Sequence, residues 1–218
     1  MEILKIVLLV IGSYLLGSIN FARILSGKMM HSDITKSGSG NPGTMNMLRT
    51  YGFKAGILTL LLDALKGVIP ALAGYFLFGG GGTEWAYTGL YIAGISATVG
   101  HCFPVYYGFK GGKGVACVFG VFAVARPLAV LIVFVIAFIY LAIFDYASVA
   151  SFIFLTTLTV VEGIRFRGNL TISFLLFAIF FLVWFMHRQN IFRLLIGKEN
   201  KVHLLSKLRK KNKNNNNQ

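Results

Sequence analysis

From Gly108 to Gly114 the chain reads Gly-Phe-Lys-Gly-Gly-Lys-Gly, four glycines and two lysines in seven positions, at the head of an apolar run that opens like a helix. Glycine lets successive amides turn toward one point, a helix start adds unpaired amides and the positive end of its dipole, and lysine adds full charge. Lys110, Gly111, Gly112, Lys113 and Gly114 therefore read as an anion cradle. It is not the P-loop of a nucleotide triphosphatase, because no Ser or Thr follows the lysine and no strand precedes the loop. Without chemistry, the same residues would mark a cytoplasmic turn between two membrane helices.

Three more polar clusters interrupt the apolar runs. Residues 37 to 46, Ser-Gly-Ser-Gly-Asn-Pro-Gly-Thr-Met-Asn, offer neutral donors and acceptors at Ser39, Asn41 and Asn46 and turn amides around Gly43. Arg49 follows, able to grip a phosphate through two parallel N–H bonds. Asp63 and Lys66 stand three apart inside a long apolar run, where a helix lets them pair and so lowers the penalty of ions in hydrocarbon. Such a pair is either purely structural or the lining of a site. The last cluster joins Ser148 and Ser151 at a helix start to His187, Asn190 and Arg193, with Glu199 beyond; His187 and Asn190 share a helix face. His101 immediately precedes the cradle.

Several chemistries are excluded by spacing. Neither His101 nor His187 is followed by the aspartate of an H-x-x-x-x-D acyltransferase motif, since Tyr106 and Phe192 occupy that place. There is no G-x-S-x-G elbow and no H-E-x-x-H zinc helix. No metal or cofactor is expected, and no protein nucleophile is evident. What is left is positive charge with small hydrogen-bond donors.

The elements that must position these residues are membrane helices. Hydrophobic residues make up 56% of the 218, with 20 phenylalanines, and the mean hydropathy is +0.73. The net charge of +14 could suggest nucleic acid, but the basic residues lie between apolar runs and in the tail, as orientation signals and anionic lipid demand. Cys102 and Cys117 fall near the basic loop on the reducing side, so no disulfide is expected. Apolar spans are expected at 3–25, 55–79, 85–102, 147–161 and 170–186. A sixth run at 115–144 is broken at Arg126-Pro127, since proline stops a helix and arginine seeks an interface. Counting that run as two spans gives seven crossings, N-terminus outside. The C-terminus, with the nine Lys and Arg of residues 187–218, is then on the cytoplasmic side. The expectation is an all-α, single-domain membrane protein over 1–206, with a basic, Asn-rich disordered tail at 207–218.

On these motifs the chain resembles the bacterial acyl-phosphate-dependent glycerol-3-phosphate acyltransferases, the PlsY family. The matching stretches are Gly17-Ser18, Ser37 to Arg49, Leu62 to Gly67, Gly100 to Ala116 and His187 to Glu199. The resemblance implies a seven-helix enzyme of the bacterial inner membrane. It would transfer an acyl chain from acyl phosphate to the sn-1 hydroxyl of glycerol 3-phosphate, giving lysophosphatidate and phosphate. It would act as a monomer downstream of an enzyme that makes acyl phosphate. It also implies that Ser39 and Arg49 are essential, that the Lys113 loop is a phosphate site, that Ser151 contacts substrate, and that His187 and Asn190 act as a pair. Asp63, His101 and Glu199 are expected to be structural; Lys66, Ser148 and Arg193 are counted with the substrate-binding residues. The chain departs from the family pattern at Gly43-Thr44-Met45-Asn46, usually G-A-T-N, at Cys117, usually threonine, and at Asp145, usually basic.

Acyl phosphate is already an activated anhydride, so positioning carries the expected mechanism. Lys113, Arg49 and loop amides would neutralise phosphate, Ser39 or Asn190 would donate to the oxyanion, and the base would be either His187 or a substrate phosphate oxygen. The competing class is an anion transporter that binds phosphate without chemistry. A metal-dependent phosphotransferase would need clustered intramembrane aspartates, which the sequence lacks.

Overall fold

The computed structural model describes residues 2–203, so the tail expected at 207–218 lies outside the described residues. Ten α-helices are present in that region: α1 Glu2–Gly17, α2 Phe21–Met30, α3 Thr44–Tyr51, α4 Phe53–Leu77, α5 Glu84–Cys102, α6 Val115–Ala125, α7 Pro127–Phe144, α8 Ala147–Arg165, α9 Leu170–Met186 and α10 Arg188–Leu195. By length and composition four helical stretches can cross a membrane, Ile3–Met30, Phe53–Leu77, Pro127–Phe144 and Ala147–Arg165. The pair α9 and α10, bent by 57°, makes a fifth if taken as one span.

Helix boundaries follow local chemistry. Asn20 ends the first apolar run early: its side chain accepts from the Arg23 amide at 3.0 Å and caps α2. The run expected at 3–25 is thus two helices. The break at Arg126-Pro127 stands where proline demanded it, leaving α6 with 11 residues and α7 with 18. Between α2 and α4 lies the short α3, capped by Gly43 before it and by Gly52 after it, whose φ is +87°.

Small residues bring the central helices into backbone contact. A Cβ at Gly67 of α4 would collide with the Cys117 carbonyl of α6, and one at Gly120 of α6 with the Ala64 carbonyl of α4. α4 accordingly packs most extensively on α5 and α6. Lipid-facing apolar side chains, such as Leu128, Ile132 and Ile136 of α7, are exposed.

A second buried network lies at the opposite ends of α5 and α8 from the glycine loop. Glu162 belongs to α8 and is fully buried, although its polar neighbourhood reads as a connecting segment in sequence. It accepts from the Tyr91 hydroxyl at 2.7 Å and pairs with Arg126 at 3.0 Å and Arg165 at 3.4 Å. The pairing ties the α6–α7 break to α5 and α8.

Candidate active site

A cavity of about 330 Å³ opens where the loop before α3, the glycine loop, the start of α8 and the α9–α10 bend converge. Its polar end is lined by Ser39, Asn41, Gly43, Arg49, Lys113, Gly114, Ser148, Ser151, His187, Asn190, Arg193 and Glu199. Its apolar arm runs between α4, at Phe53, Ile57 and Leu60, and α7, at Phe134, Phe138 and Leu141, over Phe119 of α6. The arm was not legible from single residues, because its walls come from helices far apart in the chain.

Glu199 organises the polar end. It accepts from Ser148 Oγ at 3.0 Å, Asn190 Nδ2 at 2.6 Å and Arg193 Nε at 2.9 Å. Burial alone would raise its carboxyl, but the bonds from Asn190, Arg193 and Ser148 hold it below the usual carboxylate range. The other end of the Asn190 carboxamide accepts from Lys113 Nζ, so a carboxylate, an amide and an ammonium form one chain across the site. Burial pulls the Lys113 ammonium down to about 8, assisted by the positive charges of Arg193 and Arg49 and opposed by Glu199. Arg49, Lys113 and Arg193 thus concentrate three cations against one carboxylate, an arrangement suited to phosphate dianions.

His187 is buried at the bend after α9. Its Nδ1 lies 2.8 Å from the Val183 carbonyl and must donate there, which leaves Nε2 of the neutral ring with its lone pair. Phe152 packs edge-on against the imidazole at 5.2 Å between centroids. Ser151 Oγ donates to the Ala147 carbonyl at 2.9 Å and lines the cavity.

Several expected site residues hold the walls rather than line the polar end. The amide of Gly111 donates to the Cys102 carbonyl at 3.1 Å and that of Gly112 to the His101 carbonyl at 3.0 Å, so these two amides are not turned toward an anion. A Cβ at Gly112 would strike the His101 imidazole, so close approach to the end of α5 accounts for this glycine. Lys110 is exposed outside the cavity, and its carbonyl accepts from Arg23 at 3.3 Å. Lys66 also stays outside: it is 2% exposed, donates to the Ile19 carbonyl at 2.7 Å and pairs with Asp63 at 3.1 Å. Asp63 and His101 touch the inner wall of the cavity. Asn46 lines the cavity, yet its carboxamide accepts from the Ser39 amide at 2.9 Å and donates to the Ile34 and Ser37 carbonyls at 3.1 and 2.9 Å, folding the serine loop. Among the described residues no group of three or more His, Cys, Asp or Glu could hold a metal ion.

This architecture has known counterparts. The family model described as glycerol-3-phosphate acyltransferase matches residues 7–197. A glycerol-3-phosphate acyltransferase of Halalkalibacterium halodurans is 41% identical over 198 residues, covering 89% of this chain and 94% of that one. The crystal structure of PlsY, an integral membrane glycerol 3-phosphate acyltransferase, in its glycerol 3-phosphate form superposes with a TM-score of 0.81 at 36% identity, covering 90% of this chain and 94% of that one. Its lysophosphatidic acid form gives 0.79 at 35% identity with the same coverage. The all-helical fold, with its exposed apolar faces, is that of an integral membrane protein.

Proposed function

The chain belongs to the glycerol-3-phosphate acyltransferase family, and on that premise we propose that it transfers an acyl chain from acyl phosphate to the sn-1 hydroxyl of glycerol 3-phosphate. The observation that carries this reading is one cavity joining three cations and the His187–Asn190 pair to an apolar arm between α4 and α7. A dianionic headgroup and an acyl chain can lie there in line.

In the proposed reaction the glycerol hydroxyl oxygen attacks the carbonyl carbon of the mixed anhydride. The resulting tetrahedral oxyanion collapses, the carbon–oxygen bond to phosphate breaks, and the hydroxyl proton passes either to His187 Nε2 or to the departing phosphate. Arg49, Lys113 and Arg193 hold phosphoryl oxygens, while Ser39, Ser148 and Ser151 supply short donors along the wall. Oxyanion donation falls to Ser39 or Asn190, and losing one such donor costs about 100- to 1,000-fold in kcat. Asn46, Lys66, Lys110, Gly111 and Gly112 shape the loops that carry these groups. No cofactor takes part.

The membrane arrangement we infer counts α1, α4, α5, α6, α7, α8 and α9 as seven crossings in a single-domain monomer. The N-terminus is outside, and the cavity mouth opens to the cytoplasm of a bacterial inner membrane. Short α6 suits this count only because it starts from a glycine loop folded back on α5. An upstream enzyme supplies acyl phosphate. The donor is tested by giving purified protein glycerol 3-phosphate with palmitoyl phosphate, palmitoyl-CoA or palmitoyl carrier protein in parallel. Lysophosphatidate from acyl phosphate alone is expected; turnover with thioesters alone would overturn the donor assignment.

A further inference from the structure

After α10 the chain turns at Gly197, with φ +67°, and residues 198–203 form a strap from α10 to the opposite wall of the cavity. The near end is fixed by the Lys198 amide on the Arg193 carbonyl at 2.8 Å. The far end is fixed at Val202. Its amide donates to the Asp145 carbonyl at 3.0 Å, and its side chain, 1% exposed, clusters with Leu48 of α3, with Met45 beside it, and with Leu141, Ala142 and Ala147 at the α7–α8 corner. The Lys201 ammonium lies over the Tyr146 ring at 5.4 Å. Between these anchors hangs Glu199, the carboxylate that bonds Ser148, Asn190 and Arg193.

Val202 stands three positions after Glu199, about 10 Å of extended chain, so the depth to which Glu199 reaches is set by where Val202 is seated. Beside the backbone bonds, burial of the Val202 side chain removes apolar surface from water and so favours the seated strap. We propose that Val202 is a positioning residue of the acyl transfer: seated in the niche between α3 and the α7–α8 corner, it holds Glu199 in the cavity and, through Asn190, holds Lys113 toward the phosphate. The inference rests on the proposed acyltransferase function.

A double-mutant cycle on the full chain in detergent tests it, using V202A, E199Q and V202A/E199Q, with V202I as the conservative variant. Two readouts are taken on every protein, kcat/KM for glycerol 3-phosphate and the thermal shift that glycerol 3-phosphate produces. Residues acting through one another are not additive, so V202A should lower kcat/KM about fivefold or more in the wild type and less than about twofold on the E199Q background, with V202I close to wild type. The ligand-induced shift should follow the same pattern. Equal factors on both backgrounds, as a merely structural valine would give, overturn the inference, as does an unchanged V202A. A wild type that shifts with glycerol 3-phosphate but does not turn over would sink the acyltransferase reading alone, and the cycle is then scored on the shift. A wild type with neither response overturns both.

Discussion

If Lys113 holds the phosphate as proposed, raising the pH through 8 should remove the charge it brings. Burial, with the charges of Arg193 and Arg49, pulls its ammonium down to about 8 against the opposing influence of Glu199. In the proposed reaction the group acts as the cation, so activity should be present below that pH and lost above it. With a pKa of about 8 the charged fraction falls about tenfold between pH 7 and pH 9. A hydrogen bond from a charged donor contributes about 1.5–3 kcal/mol, so the neutral amine should leave kcat/KM some 10- to 100-fold below its plateau. The phosphate monoester of glycerol 3-phosphate titrates near pH 6 and the more acidic acyl phosphate below it, both well away from this limb. The assay is lysophosphatidate formation from pH 6.5 to 9.5 at varied glycerol 3-phosphate, with enzyme-free blanks to subtract hydrolysis of acyl phosphate. kcat/KM reports the free enzyme. The variant K113R keeps its charge throughout and should lose the limb, whereas E199Q, which removes the charge that raises the lysine, should move it to lower pH. An alkaline limb near 8 that persists in K113R, or a wild type flat to pH 9.5, would refute this account of the site.

H187A should lower kcat by about 100-fold or more with little change in KM if Nε2 takes the hydroxyl proton; full activity with an unchanged pH profile would assign the proton to the phosphate instead. G67A should lower the melting temperature in detergent, because its Cβ would collide with the Cys117 carbonyl and overpacking costs about 1–3 kcal/mol, while G12A, which meets nothing within 4 Å, should not. E162Q should destabilise by about 1.5–3 kcal/mol, since the buried carboxylate loses its charged contacts while Arg126 and Arg165, 43% and 26% exposed, keep part of their hydration; kcat/KM at low temperature should stay at the wild-type value.

How legible each feature was depended on how local its cause is. Arg126-Pro127 announced its break because proline forbids the helix that would cross it. Asn20 did not, since an isolated asparagine caps a helix only where the chain around it is already turned. The glycines of residues 108–114 were expected to turn amides toward an anion, and in the structure two of them serve packing instead. Gly111 and Gly112 let the loop lie against His101 and the end of α5, and the charge facing the cavity comes from Lys113. Asp63 and Lys66 were recognisable as a pair from their spacing, but only the fold shows that the carboxylate borders the cavity while the lysine turns away to Ile19. Glu162 resembled the polar end of a span because Tyr91 and Arg126, which bury it, lie 71 and 36 positions away in the sequence. Arg49, Lys113, His187, Asn190 and Glu199 stand in three of the four polar clusters singled out in the sequence, and the fold brings them to one cavity. The hydrogen bonds among them could not be read without the strap that delivers Glu199.

The most direct test of the central claim is the stoichiometry of a single mixture: purified protein in detergent, acyl phosphate and glycerol 3-phosphate, with inorganic phosphate and lysophosphatidate counted together. The account predicts one phosphate released per lysophosphatidate formed, and neither above the blank when glycerol 3-phosphate is omitted. A folded protein that binds glycerol 3-phosphate yet forms no lysophosphatidate would contradict it and return the cavity to the transport of organic phosphates.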